Sequence, residues 1–157
     1  MFVSFSVGNT GPFKEVTGIT TVCESLKKEF LGKNTFEVGG HNYNKISYIY
    51  GANGSGKTNF LSALTKMQKM IIMSTVLGAN NNKLLEVPAI KKELASPIET
   101  FKFDVDCKSR ETFFEIQVLL EGILYSYSFA VQDGKIQREL LTKKNKRTEI
   151  LIKRTSP

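Results

Sequence analysis

One histidine, two cysteines and no tryptophan leave this 157-residue chain short of the side chains that build many metal centres and acid–base sites. Cys23 and Cys107 lie far apart and lack C-x-x-C spacing, so a zinc site of Cys and His within the chain is not expected. His41, standing alone, reads as an ordinary surface or packing residue rather than a general base. Two reduced thiols fit an intracellular compartment, and a cytoplasmic location is expected. Long apolar runs are missing too. The most apolar helix candidate, Phe60 to Leu77, is interrupted by Lys66 and Lys69, so no membrane partner is expected. The start, Met1-Phe2-Val3-Ser4-Phe5-Ser6-Val7, alternates like a strand and does not read as a secretory signal. There is no internal repeat and no low-complexity tract.

Acidic residues are the scarcer charge: 15 carboxylates face 22 Lys and Arg, a net +7. Lys143, Lys144, Lys146, Arg147, Lys153 and Arg154 crowd the C-terminal end. That cluster could be a nucleic-acid-binding edge. A solvated hairpin tip is the simpler reading, because a basic run alone rarely identifies a ligand. An apolar content of 41% over this length allows one domain with a real core.

What the chain does have is Gly51-Ala52-Asn53-Gly54-Ser55-Gly56-Lys57-Thr58, which spells G-x-x-x-x-G-K-[ST], the phosphate-binding loop of nucleoside-triphosphatases. The chemistry explains the spacing. Glycines let backbone N–H groups converge on phosphate oxygens with no Cβ in the way. Lys57 would place an ammonium on the β- and γ-phosphates, and the Thr58 hydroxyl is a hard ligand suited to Mg2+. Both open a helix, whose unsatisfied N–H groups favour an anion. The motif needs a strand before it and a helix after it. Lys45-Ile46-Ser47-Tyr48-Ile49-Tyr50 is rich in β-branched and aromatic residues, and Phe60, Leu61, Leu64, Met67 and Ile71 follow at helical spacing.

The reading divides the single domain into three parts. Residues 1–77 hold an N-terminal hairpin, the phosphate-loop strand and its helix, 78–98 form a connection, and 99–157 are antiparallel strands. Phe2 and Val7 are out of phase in the first strand. Gly8-Asn9-Thr10-Gly11-Pro12 is a turn, and Phe13 to Val22 a second strand broken or bulged at Gly18. A short strand is expected at Thr35 to Val38. Leu84 to Pro97 reads as a mobile connection with a short helix at Ala89 to Leu94. Four further strands are expected over Glu99 to Asp106, Glu111 to Leu120, Ile123 to Val131 and Lys135 to Leu141, with a last one over Thr148 to Lys153. Glu121-Gly122 and Asp133-Gly134 are two-residue hairpin turns with glycine where a positive φ is wanted. Tyr125, Tyr127 and Phe129 alternate on one face, which fits half of a core better than a base-stacking platform.

The loop with its flanks, Gly51 to Asn59 followed by Phe60-Leu61 and Ala63-Leu64, resembles the G-x-N-G-S-G-K-[ST]-N form of ABC-type ATPase heads, as in RecF-like and chromosome-maintenance proteins. Phe5-Ser6-Val7-Gly8-Asn9 with Phe13-Lys14 resembles the opening of AAA-type ATPases of the overcoming-lysogenisation-defect and abortive-infection family. Phe114-Glu115-Ile116, Tyr125 to Phe129 and Gly134-Lys135-Ile136 with Glu139 and Leu141 are similar to that family's strand-rich segment. The resemblance implies an α/β P-loop NTPase fold: the N-terminal lobe of an ABC-type head, a mixed sheet with the phosphate-loop helix plus an antiparallel meander. It implies that Gly51, Asn53, Gly54, Ser55, Gly56, Lys57, Thr58 and Asn59 bind ATP, with Lys57 and Thr58 catalytic and Thr58 on Mg2+. It also implies a head-to-head homodimer and an effector protein as partners, and a role in phage defence. Two departures stand out. Gly11 occupies a position where the family commonly has Arg. No apolar run ending in Asp-Glu and no Ser-Gly-Gly follows Thr58, so the expectation is a fragment of a longer ATPase that binds ATP with little turnover. The alternatives are a small-molecule or nucleotide kinase using the same loop, for which only Arg110, Arg138, Arg147 and Arg154 could furnish an arginine lid, and an ATP-independent nucleic-acid-binding module.

Overall fold

A computed structural model describes residues 1–23, 32–78 and 98–156. The expected connection over Leu84 to Pro97, with its short helix at Ala89 to Leu94, lies wholly outside these residues. Strands β1 (Phe2–Gly8) and β2 (Thr17–Thr20) make the N-terminal hairpin, and β3 (Thr35–Val38) pairs with β4 (His41–Asn44) in a separate two-stranded sheet. Helix α1 (Lys57–Gly78) follows the glycine loop. Strands β5 (Thr112–Leu120), β6 (Ile123–Gln132), β7 (Lys135–Lys144) and β8 (Thr148–Thr155) form the meander, giving a six-stranded sheet in the order β2-β1-β5-β6-β7-β8.

The turn chemistry sets this register. Glu121 and Gly122 have φ of 51° and 78°, and Asp133 and Gly134 have 50° and 72°. Positive φ at both central residues is the turn whose twist matches the flanking strands. The phase break in β1 is a register slip between Phe2 and Ser4 against β5. Such a slip lets Phe2 reach the same packing face as Phe5. Gly18, by contrast, sits in unbroken register opposite Ser6, with no bulge. Its glycine is needed for close approach, because a Cβ there would stand 2.5 Å from the Ser6 hydroxyl and 2.8 Å from the Phe5 carbonyl.

Helix α1 lies on one face of the sheet. Phe60, Ala63 and Met67, at i, i+3 and i+7, pack into Phe5, Val7, Phe114, Phe129 and Val131. Leu61, expected on the same stripe, is 54% exposed. One residue along a helix turns about 100°, which carries it off the stripe headed by Phe60. Phe5 and Phe60 meet edge to face at 5.2 Å, and Phe114 and Phe129 lie 5.2 Å apart.

Two expectations fail, and with them the mixed sheet: every ladder among the described residues is antiparallel. Lys45 to Tyr50 forms no strand: the Lys45 N–H donates to the Asn34 carbonyl at 2.9 Å, residues 46–50 join no ladder, and Tyr48 and Tyr50 are 82% and 92% exposed. Strand propensity reports fit to a half-buried pleated surface, and no described strand pairs with residues 46–50. Glu99 to Asp106 is not a strand either. Thr10 Oγ1 donates to the Glu99 carbonyl at 2.8 Å and Phe101 N donates to Asn9 Oδ1, so the segment is held by side chains of the first turn rather than by a ladder. It ends in a 3-10 helix, Val105–Ser109, begun by Asp104, which accepts from Asp106 N.

The Tyr125-Tyr127-Phe129 row enters the core at one end, with Tyr127 partly buried against it. Phe129 is buried, and the Tyr127 hydroxyl donates to Glu139 Oε1 at 2.6 Å while Arg154 holds Glu139 Oε2 at 2.9 Å. Burial first, and then the neighbouring carboxylate, push the Tyr127 phenol above its usual range. A raised folded-state pKa means stability fully present below about pH 10 and lost as the unfolded chain ionises above it. Melting curves from pH 8 to 11 should therefore fall more steeply for the parent than for Tyr127→Phe; parallel curves would show that the phenol is not linked to folding.

Candidate phosphate-binding site

The glycine loop and the first turn of α1 stand at one end of the helix, against the turn that joins β1 to β2. Gly54 and Gly56 have φ of 82° and 93°, conformations that disfavour any side chain. A Cβ on Gly54 would meet nothing within 4 Å, whereas one on Gly56 would stand 3.2 Å from Pro12 and 3.3 Å from the Phe13 ring. Gly54 thus opens one side of the loop and Gly56 packs the other. Phe13 also meets Phe60 edge to face at 5.9 Å, tying the turn to the first turn of the helix.

The first helical hydrogen bond runs from Phe60 N to the Gly56 carbonyl at 2.9 Å. The amides of Gly56, Lys57, Thr58 and Asn59 therefore have no carbonyl partner among the described residues. This is the positive end of a 22-residue helix. Lys57 Nζ donates to the carbonyls of Gly51 at 2.8 Å and Ala52 at 2.9 Å, which folds its ammonium across the loop. The Ser55 amide donates to the Ala52 carbonyl and closes the loop on itself.

Sequence reasoning placed Gly51, Asn53, Gly54, Ser55, Gly56, Lys57, Thr58 and Asn59 in one site, and all eight stand together here. The donor set is backbone amides, one ammonium and the exposed Thr58 hydroxyl, and it suits a polyphosphate. Among the described residues no group of three His, Cys, Asp or Glu could hold a metal ion. Any Mg2+ would have Thr58 as its protein ligand here and would otherwise depend on phosphate oxygens. His41 is far from this chemistry in kind: it lies in β4, edge to face with Tyr43 at 6.5 Å.

What the sequence did not show is that Gly11, Pro12 and Phe13 stand against the loop. Gly11, where the family commonly carries Arg, has its Cβ position 3.9 Å from Asn59 Nδ2. The turn was legible in Asn9-Thr10-Gly11-Pro12; its role as the floor of the loop was not. No described helix is long and apolar enough to cross a membrane.

No curated protein and no solved structure matches the chain. A family model described as "AAA domain, putative AbiEii toxin, Type IV TA system" matches residues 46–156, which include the whole glycine loop, α1 and the meander β5 to β8. That match spans more than half of the chain and takes in the glycine loop at the head of α1. The protein belongs to this AAA-domain family, whose members are ATPase-type, nucleotide-binding proteins.

Proposed function

We propose that the chain is an ATP-binding lobe of an ABC-type P-loop ATPase and holds Mg·ATP at the loop from Gly51 to Asn59. The observation that carries this reading is the row of amides from Gly56 to Asn59, without a carbonyl partner among the described residues, beside the Lys57 ammonium. Bound there, the nucleotide would bring the phosphoanhydride bond whose transfer to water is the family's chemistry. The chain's own residues bind and orient it. The loop amides would hold the phosphates, the Lys57 ammonium would neutralise their charge, and the Thr58 hydroxyl would be available to Mg2+. A water-activating carboxylate would have to follow Thr58 on a strand ending in Asp-Glu, and the sequence has none. Binding with little turnover by this chain alone is the expected outcome. In the whole assembly we place a head-to-head homodimer, an effector protein and a role in phage defence, all on the resemblance to abortive-infection ATPases.

Titration calorimetry with Mg·ATP tests the assignment. Lys57→Ala removes the only ammonium on the loop and should weaken binding by about tenfold or more, since a charge-assisted hydrogen bond contributes ~1.5–3 kcal/mol. Equal affinity in the two proteins would sink the site.

The basic C-terminal strands favour no second reading. Lys143 is paired with Glu149 at 3.0 Å and Arg154 with Glu139 at 2.9 Å, so part of that charge is spent within the sheet.

A further inference from the structure

The turn beneath the phosphate loop is itself held from one residue. Asn9 is 3% exposed and has φ of 51°, the left-handed region that Asn tolerates better than most side chains. Its Nδ2 donates to the carbonyls of Cys107 at 2.8 Å, Arg110 at 2.9 Å and Glu111 at 3.4 Å, and its Oδ1 accepts from Phe101 N at 3.3 Å. The amide orientation is unambiguous, because the reverse would aim an oxygen at three carbonyls. The Asn9 carbonyl accepts from buried Thr112 Oγ1 at 2.9 Å, and its N–H donates to the Lys14 carbonyl.

One side chain thus gathers three pieces of chain distant in sequence: the end of β1, the segment around Phe101 and the 3-10 helix leading into β5. Thr10 adds its bond to the Glu99 carbonyl, and paired bonds between Thr10 and Phe13 close the turn. That turn presents Pro12 and Phe13 to Gly56 and lies beside Asn59. The segment holding Asn9 precedes residues 46–156, so it lies outside the part of the chain that the family match covers.

We propose that Asn9 is a positioning residue for the phosphate loop: its hydrogen bonds reach none of the described loop residues, and through the turn it sets where Gly56 and Lys57 stand. The inference rests on the loop being the nucleotide site. An anion cradle made of backbone amides works only where those amides converge, and small displacements of a positioned group are costly. Loss of the Asn9 amide takes a donor from the carbonyls of residues 107, 110 and 111, of which Cys107 keeps the Arg110 N–H, and lets the turn drift under Gly56.

The test uses the full chain. Asn9→Gly keeps the positive φ and removes only the amide, and Thr10→Val removes one hydroxyl with little change of shape. Mg·ATP affinity by calorimetry should fall about tenfold for Asn9→Gly and about threefold for Thr10→Val. In nucleotide-free protein, 15N amide signals of Gly56 and Lys57 should move in both variants. Ile116→Ala, on the β5 rung opposite Phe5, serves as a control for destabilisation alone and should leave affinity within about twofold of the parent. The inference is overturned if the Gly56 and Lys57 signals stay in place, if both turn variants bind like the parent, or if Ile116→Ala weakens binding as much. Should Asn9→Gly not fold, Thr10→Val decides the matter by the same readings. Failure of the nucleotide reading looks different: the parent then binds no better than Lys57→Ala, while the amide signals still report whether the turn positions the loop.

Discussion

Replacing Phe114 by alanine is expected to cost about 3–5 kcal/mol of folding stability, enough to bring a domain of this size close to unfolding. Phe114 is 0% exposed and sits at the middle of the interface between α1 and the sheet, among Phe5, Met67 and Phe129. Its ring lies 5.2 Å from that of Phe129, so the loss includes an aromatic pair as well as transfer and cavity terms. The neighbours cannot easily close the void, because β5 is paired on both sides, with β1 and with β6. Urea denaturation followed by far-UV circular dichroism should show the midpoint falling sharply. Ile150→Ala, at a site 61% exposed on β8, should move it by less than about 1 kcal/mol. Similar shifts in the two variants would mean that the helix and sheet do not share one core.

Where local chemistry decided the structure, the sequence was readable. The meander is the clearest case, since Glu121-Gly122 and Asp133-Gly134 each adopt the paired positive φ that their residue types favour. The glycine loop was readable in the same way, since Gly54 and Gly56 take the positive φ that their residue type allows. Segments decided by distant partners were not. Glu99 to Asp106 alternates Phe101, Phe103 and Val105 as a strand would, but Asn9 and Thr10, about ninety residues away, take its backbone bonds and leave Phe103 88% exposed. Lys45 to Tyr50 has the composition of a buried strand, and no described strand pairs with residues 46–50. Composition measures the tendency to pair; it does not supply the partner. Nothing in the sequence placed Pro12 and Phe13 against the glycine loop. Their contribution depends on the close approach of two loops more than forty residues apart.

That close approach makes Gly56 the most sensitive position in the site. Gly56→Val should abolish measurable Mg·ATP binding while the protein stays folded. Two effects combine. The φ of 93° lies in a region that costs an L-residue roughly 1–2 kcal/mol, more for a β-branched one. The added Cβ would stand 3.2 Å from Pro12 and 3.3 Å from Phe13, and the two further methyls of valine need space that the turn occupies. The loop can relieve this only by moving away from the turn or by changing φ, and either movement turns the Gly56 and Lys57 amides from their common direction. Strain alone can be separated from displacement. Gly40 has φ of 78° and open space around it, in the β3–β4 turn, so Gly40→Ala should lower stability by about 1 kcal/mol and leave nucleotide affinity unchanged. Calorimetry on both variants, with melting temperatures as the check on folding, decides between the causes. If Gly56→Val binds Mg·ATP within a few fold of the parent, the amides at the head of α1 are not what holds the phosphates.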